Sequence, residues 1–292
     1  MASINPSDLV TISGAYGPRT LLPFVPGFEG IGVIESAGNG VGGSRVGQRV
    51  LPLGSTGAWQ NMKVTKEKLC FTVPRDLTDQ QAAIAYINPL TAQRLVQKCV
   101  PKIQGAAVAV NATTGAIDQM IIRMLNKMGI KPIALVRRSN ARDDLISQFD
   151  LSAVLCTSDE VRLTQKLYEL TGGRGLAVAF YAVGGEEGDD IVLALCPGGT
   201  LVHYGLLSGR LLSYQLFKER PDAKIELFRL RDWVHSAAHD EIRRALDKFF
   251  ELIRDDTATS KVADVFSLSD IQQALACEAT RGRKGKVLLS LT

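Results

Sequence analysis

Residues 106–138 read AAVAVNATTGAIDQMIIRMLNKMGIKPIALVRR, and this stretch decides the fold. The apolar run at 106–110 is typical of a buried parallel strand. A turn at 111–115 leads into 117–128, where apolar residues recur with the spacing of one helix face. A second apolar run follows at 132–136. Strand, helix and strand in this order predict a βαβ unit whose two strands are parallel in one sheet.

The turn before the predicted helix is a candidate phosphate site, because free backbone N–H groups and the positive end of the helix dipole meet there. A dinucleotide fingerprint has three glycines at such a turn. This chain has Gly115, with Ala116 and Asp118 where the second and third would fall. Asp118 would also place a carboxylate near a bound phosphate. Taken alone, the turn fits an ordinary βαβ unit equally well.

The end of the second strand carries more information about a cofactor. Proteins that bind NAD usually have an acidic residue there, which holds the ribose 2′-hydroxyl. This chain has Arg137 and Arg138 instead. Because guanidinium groups suit a 2′-phosphate, a bound dinucleotide is predicted to be NADPH.

Composition excludes several classes of function. The 292 residues allow one large or two moderate domains, with ample apolar content for a core. The formal net charge is +4, with acids and bases interspersed, which argues against a nucleic-acid or membrane surface. No apolar stretch approaches a membrane span, and the start lacks the pattern of a signal peptide. Five scattered cysteines without CxxC spacing predict neither disulfides nor a zinc lobe, so we expect a cytoplasmic protein.

The chain outside the opening unit predicts two domains of different character. Residues 1 to about 73 are rich in glycine, proline and short apolar runs, as β domains are, and 58–64 alternates like a half-buried strand. A helix beginning near Asp79 is expected to break at Pro89. Beyond it, strands alternate with helices, which predicts a doubly wound parallel sheet of six strands. The last apolar run is expected to return to the N-terminal β domain. We therefore predict domains at 1–90 with 256–292, and at 91–255.

Several separated motifs give the chain a family resemblance. It resembles the zinc-free medium-chain dehydrogenase/reductases, and within them the trans-2-enoyl-thioester reductases. The matching stretches are INPSD (4–8), GAYG (14–17), PGFEG (26–30), GAW (57–59), NPLTA (88–92), AVGG (182–185), YGLLSG (204–209) and GKVL (285–288). The resemblance implies an α/β fold with a GroES-like β domain and a Rossmann domain. Relatives have further strands before the first motif, so we expect an N-terminally truncated β domain.

The resemblance also implies a reaction, the reduction of a polarised C=C bond by NADPH. The family's proton donor corresponds to Tyr16, although a tyrosine in such a turn is ordinarily only a packed ring. The implied cofactor residues are Asn88, Thr114, Gly115, Ala116, Ile117, Arg137, Arg138, Ser139, Tyr204, Gly205, Leu206, Leu207, Phe228, Arg229, Leu230 and Lys286. Arg229 replaces a family tryptophan. Asn88 could equally belong to an ordinary helix-end turn. The less favoured alternative for the arginine pair is a solvated strand end. A basic residue before a terminal strand, such as Lys286, is usually solvent-facing.

Other functions stay open at this stage. A quinone oxidoreductase shares the fold and cofactor, and Asp118 with the short N-terminus would also fit a catalytically impaired nucleotide-binding protein. A metal is not expected, because Phe28 stands where zinc-dependent relatives have histidine, and the three histidines are dispersed. The resemblance implies a homodimer joined at the edge of the Rossmann sheet. The substrate is expected to be a small molecule, an enoyl thioester or a quinone.

Overall fold

The computed structural model describes residues 1–14, 20–41, 45–103, 105–159, 162–280, 283 and 285–291. Its strands are β1 (Ala2–Ser3), β2 (Gly32–Val33), β3 (Arg49–Pro52), β4 (Cys70–Thr72), β5 (Val108–Val110), β6 (Ile133–Val136), β7 (Ala153–Cys156), β8 (Leu176–Tyr181), β9 (Leu195–His203), β10 (Lys224–Leu227), β11 (Val262–Ser267) and β12 (Lys286–Ser290). Its α-helices are α1 (Pro6–Ile12), α2 (Asp79–Ala83), α3 (Ile87–Ile103), α4 (Ala116–Lys127), α5 (Arg142–Gln148), α6 (Leu163–Leu170), α7 (Glu186–Leu193), α8 (Leu216–Glu219), α9 (Leu230–Ser236), α10 (His239–Arg254) and α11 (Ile271–Ala279). The chain divides into two compact units, Met1–Leu90 with Leu230–Thr292, and Thr91–Arg229.

The second unit is built on a six-stranded sheet in the order β10-β9-β8-β5-β6-β7. Every neighbouring pair is parallel. This confirms the βαβ unit and the doubly wound parallel sheet. The chain runs from β5 outward through β6 and β7, then returns to β8 on the other side of β5. Ligands of open α/β sheets bind beyond the carboxyl ends of the strands at such a reversal, which here lies between β5 and β8.

Helix α4 illustrates why this unit folds as the sequence predicts. Its apolar side chains at Met120, Ile121 and Leu125 are almost completely buried. Gly129 follows the helix with a φ of +73°, a left-handed conformation that glycine adopts without steric cost. The chain then turns directly into β6, which pairs with β5 in the register Ala109 to Ile133.

The described residues of the first unit form two three-stranded sheets. One has the order β2-β3-β4 with antiparallel pairs. The other has the order β1-β12-β11, in which β12 pairs antiparallel with β1 at Ala2 and Leu289 and parallel with β11. The last strand therefore returns to the N-terminal unit, as expected. Ile4, Trp59 and Val287 are buried in the core beneath this sheet.

Two local expectations in the first unit are wrong. Residues 58–64 form no strand. The amides of Ala58 and Trp59 instead donate to the carbonyls of Gly27 and Pro26 at 3.0 and 3.1 Å, so they are not available to a sheet. The helix break also does not fall at Pro89, because 84–86 separate α2 from α3 and Pro89 lies in the first turn of α3. A proline there removes no helical hydrogen bond.

The second boundary between the units differs from the expected 255/256. Residues 230–255, which include α9 and α10, group with the first unit. The reason is their packing, since the ring of His239 stacks on Phe71 at 4.7 Å and Arg254 pairs with Asp76 at 2.7 Å. Nothing in the sequence near α10 identifies Phe71 and Asp76 as the residues against which it packs.

Two kinds of feature are absent from the residues that the structure describes. None of their helices is both long and apolar enough to cross a membrane. No group of three or more His, Cys, Asp or Glu side chains among them is arranged to hold a metal ion.

Candidate functional site

The turn between β5 and α4 lies at the carboxyl edge of the parallel sheet, and the Asp118 carboxyl accepts the amide of its own residue in the first turn of α4. The amide of Gly115 donates to the carbonyl of Ala112 at 2.7 Å, which closes a tight turn. Gly115 is the N-cap residue of α4 and makes no side-chain hydrogen bond. Thr114 is exposed, and Ala116 and Ile117 are half-buried. The predicted phosphate turn is therefore present as geometry, with backbone amides of the kind that bind anions.

A buried polar network fixes this turn to the rest of the edge. The side chain of Asn111 accepts from the amide of Ala182 at 2.9 Å and donates to Glu187 at 2.7 Å. The hydroxyl of Thr157 donates to the other oxygen of Glu187 at 2.7 Å. These bonds join the ends of β5, β7 and β8 through the first turn of α7. Sequence reasoning missed Glu187, and its only signal is that it is the second of two acidic residues that follow the Gly184-Gly185 turn.

The predicted arginine pair lies at the same edge. Arg137, Arg138 and Ser139 directly follow β6 and are all exposed. Thr113 ties the phosphate turn to this strand, because both its amide and its hydroxyl donate to the carbonyl of Leu135. Since β5 and β6 are parallel neighbours, the turn and the arginine pair stand side by side.

Asp118 departs from the expectation of a charged carboxylate at the turn. The residue is only 4% exposed, and the hydroxyl of Tyr204 donates to its Oδ1. Burial raises the pKa of the Asp118 carboxyl to about 7, although the hydrogen bonds from Tyr204 and from the amide of Asp118 itself lower it. Burial and the neighbouring carboxyl also raise the pKa of Tyr204 well above its ordinary value. Near neutral pH this carboxyl is therefore only partly ionised, and Tyr204 remains the donor.

The 204–207 segment follows β9 and runs along the end of β8. The amides of Tyr204 and Leu207 donate to the carbonyls of Tyr181 and Ala182 at 3.0 Å. A Cβ at Gly205 would lie 2.8 Å from the carbonyl oxygen of Ala182, so only glycine fits. Leu206 and Leu207 are exposed. The structure thus brings this predicted segment to the same edge as the phosphate turn.

The predicted residues 228–230 are divided between the two units. The amide of Phe228 donates to the carbonyl of His203 at 2.8 Å, which holds it beside β9 in the second unit. Arg229 is exposed at the end of that unit. Leu230 is the first residue of α9 and is buried in the first unit.

Two further predicted residues belong to the first unit. Tyr16 lies outside the described residues, so its role stays a prediction. Asn88 is the second residue of α3 and is half-buried. The carboxylate of Glu29 accepts the amides of Tyr86 and Ile87 at 2.7 and 2.8 Å and so caps the start of this helix. The position of Asn88 is therefore fixed by a buried acid that sequence reasoning did not single out.

Lys286 is buried inside the first unit. It is therefore neither a solvent-facing base nor open to a ligand in that unit. It is 6% exposed, and its ammonium donates to the carbonyl of Ile4 at 3.0 Å and to Asn5 Oδ1 at 2.7 Å. Burial lowers its pKa, while the nearby carboxylates, Glu29 foremost, raise it. In this structure the side chain serves the interior of the first unit.

The whole chain has known relatives. A rat enoyl-[acyl-carrier-protein] reductase, mitochondrial, is 31% identical over 94% of this chain and 74% of its own length. Two protein-family models also match this chain. The alcohol dehydrogenase GroES-like domain matches residues 1–83, and the zinc-binding dehydrogenase model matches residues 116–249.

The chain belongs to the medium-chain dehydrogenase/reductase superfamily.

Solved structures of this superfamily have the same fold. A protein from Bacillus thuringiensis described as a putative NADPH:quinone reductase is 29% identical, with a TM-score of 0.90 over 99% of this chain and 88% of its own. A mycobacterial protein solved in complex with NADPH is 26% identical, with a TM-score of 0.85 over the same shares. The expected architecture of a GroES-like domain and a Rossmann-type sheet is therefore confirmed. The chain is an oxidoreductase of the superfamily.

Proposed function

We propose that this oxidoreductase uses NADPH to reduce activated carbon–carbon double bonds, with a trans-2-enoyl thioester as substrate. The observation that carries the proposal is the exposed pair Arg137 and Arg138 at the end of β6, beside the start of α4 with glycine at its N-cap. The substrate class is supported by the rat relative, which is named an enoyl-[acyl-carrier-protein] reductase.

The residues at the sheet edge fit NADPH. The first amides of α4 suit its pyrophosphate, and two guanidinium groups suit its 2′-phosphate. The 204–207 segment, with Gly205 packed closely on Ala182, supplies the backbone at the end of β9 where the nicotinamide end would lie. The solved mycobacterial relative with bound NADPH supports the same cofactor. Asp118 is an unusual addition, because a carboxylate at this turn would oppose the phosphates.

This substrate determines which steps of the reaction NADPH supplies and which the protein must supply. NADPH supplies the hydride that adds to the β-carbon of the enoyl group. The protein must then stabilise the negative charge on the thioester oxygen and deliver a proton to the α-carbon. We assign that proton to the Tyr16 hydroxyl, on the resemblance of residues 14–17 to the family motif.

The direct test is the loss of NADPH absorbance on adding a short trans-2-enoyl-CoA, with a quinone in a parallel reaction. We expect oxidation with the thioester at a kcat/KM well above that with the quinone. A quinone reductase is the second candidate, and the Bacillus thuringiensis structure favours it. Turnover of the quinone alone would establish that candidate and overturn the thioester. Absence of NADPH binding by the folded protein would overturn both.

The assembly is proposed to be a homodimer joined at the β10 edge of the sheet. Among the described residues β10 has a neighbour on one side, β9. Leu227 on β10 and, in the segment that precedes β10 in the chain, Leu211, Tyr214 and Phe217 are each more than 60% exposed. Apolar patches on a sheet edge favour pairing with another strand. Light scattering should give a dimer that Leu227→Asp weakens and Leu170→Asp, at an exposed site on α6, does not.

The cytoplasm remains the proposed location. All five cysteines are free thiols, which suits a reducing compartment. Several relatives are mitochondrial by name, so fractionation of the native protein tests the proposed location.

A further inference from the structure

We propose that Asp118 couples cofactor binding to proton uptake, because its neutral form is compatible with the pyrophosphate at the turn and its carboxylate opposes it. This inference rests on the proposed use of NADPH. It concerns a residue that stands where a dinucleotide fingerprint has glycine, so it is a property of this chain's own sequence.

The geometry places the carboxyl against the phosphate turn. Asp118 lies in the first turn of α4, three residues after the N-cap residue Gly115. A Cβ at Gly115 would lie only 2.4 Å from Asp118 Oδ2, so this oxygen packs directly on the turn's backbone. A phosphate held by the first amides of α4 would therefore meet the carboxyl at close range. In a buried site, a full negative charge there is weakly screened.

The carboxyl is also held from across the sheet. Tyr204, at the end of β9, donates its hydroxyl to Asp118 Oδ1. In the strand order β8 separates β9 from β5, so the bond spans the reversal point where the dinucleotide is proposed to lie. If the Asp118 side chain moved away from a bound phosphate, its hydrogen bond with Tyr204 would therefore be disturbed as well. Protonation of Asp118 removes its negative charge and leaves the hydrogen bond from Tyr204 in place.

Two donors act on the Asp118 carboxyl, the Tyr204 hydroxyl and the amide of Asp118 itself, and both lower its pKa. The turn residues Asn111 and Thr113 do not titrate, and their side chains donate to Glu187 and to the carbonyl of Leu135. Glu187, in the first turn of α7, lies at the same edge with its oxygens held by Asn111 and Thr157. The end of β9 contributes Tyr204, whose raised pKa keeps it protonated. Burial raises the pKa of Asp118 to about 7, which puts its titration within the range where binding is measured.

The consequence is a cofactor affinity that falls as the pH rises. If only the neutral form accepts NADPH, the apparent Kd scales inversely with the neutral fraction. With a pKa of about 7, the Kd should rise about 30-fold between pH 6 and pH 8.5. The 2′-phosphate of NADPH titrates near this range as well, so the wild-type curve needs a matched reference.

The test is the Kd of NADPH across that pH range by protein-fluorescence titration, for the wild-type protein and Asp118→Asn. Asparagine keeps the size and an acceptor for Tyr204 but carries no charge. Because both proteins share the 2′-phosphate titration, the ratio of their Kd values isolates Asp118. We expect that ratio to be near one at pH 6 and to grow toward about 30-fold at pH 8.5. A ratio independent of pH would overturn the inference.

Two further measurements separate this inference from the proposed function. Calorimetric titration in buffers of different ionisation enthalpy should show uptake of up to one proton in the wild-type protein beyond that in Asp118→Asn. Tyr204→Phe removes the hydrogen bond that favours the carboxylate, so the midpoint of the pH dependence should move upward. If no variant binds NADPH at any pH, the proposed function fails. If all bind with the same pH profile, only the role of Asp118 fails.

Discussion

Lys286 and Asn5 stand 281 positions apart in the chain, yet the ammonium of Lys286 donates to Asn5 Oδ1 across 2.7 Å. The same ammonium also donates to the carbonyl of Ile4, which binds the last strand to the start of the chain. Asn5 in turn donates to Glu29 at 3.0 Å, and Glu29 caps α3. A buried cation thus stands at the centre of the first unit's polar interior.

Replacement of that cation should destabilise the protein. Lys286→Met keeps the length of the side chain but leaves two buried acceptors without their donor. We expect a loss of about 2–4 kcal/mol in the free energy of unfolding, measured by urea denaturation. The control Lys248→Met, at an exposed site on α10, should stay within about 0.5 kcal/mol of wild type. Equal stability of the two variants would contradict the structural role of Lys286.

Acid should destabilise the second unit through His203. Its Nε2 is buried and has no hydrogen-bond partner among the described residues. Burial lowers its pKa below the ordinary 6.5, so the unfolded chain takes up a proton before the folded chain does. Stability therefore falls as the pH drops below about 6.5. His203→Gln should flatten this part of the stability curve from chemical denaturation, while His235→Gln should leave it unchanged.

Removal of the arginine pair should change cofactor preference. Arg137→Ala with Arg138→Ala should weaken NADPH binding by about 10- to 100-fold, because charge-assisted bonds to the 2′-phosphate are lost. NADH has no such phosphate, and its Kd should change less than about threefold. Arg174→Ala, at the start of β8 and so at the opposite edge of the sheet, is the matched control. Equal weakening of both cofactors would remove the argument for NADPH.

Removal of the proposed proton donor should separate binding from turnover. Tyr16→Phe keeps the ring and loses the hydroxyl, so we expect kcat to fall by about 10²- to 10⁴-fold. The Kd of NADPH should stay close to that of the wild-type protein. Tyr214→Phe, an exposed tyrosine of the second unit, should retain full activity. A kcat unchanged in Tyr16→Phe would assign the proton to another group.

The parts of the fold that the sequence predicted are those fixed by short-range pattern. The apolar run before Asn111, the helix face of α4 and the stop at Gly129 each follow from local spacing, so the βαβ unit is predictable. The segment at 58–64 has equally good strand spacing, but its first two amides donate to the carbonyls of Gly27 and Pro26. The sequence around 58–64 gives no indication of these distant partners. The same holds for α10, whose attachment to Phe71 and Asp76 depends on contacts distant in sequence.

The candidate site divides in the same way. The phosphate turn and the arginine pair follow strand ends, so their meeting at one edge is implied by parallel pairing. Burial of charge was not predictable, because Lys286 and Asp118 look like surface residues until their partners are known. Asn5 lies at the other end of the chain and Tyr204 lies 86 positions away from Asp118.

The most direct test of the central claim follows the hydride itself. The protein is incubated with a trans-2-enoyl-CoA and NADPH deuterated at the transferring C4 position, and the product is analysed by mass spectrometry. We expect a saturated acyl-CoA with one deuterium, located at the β-carbon, and a solvent-derived proton at the α-carbon. Recovery of the unreduced thioester, while a quinone accepts electrons from the same NADPH, would contradict it.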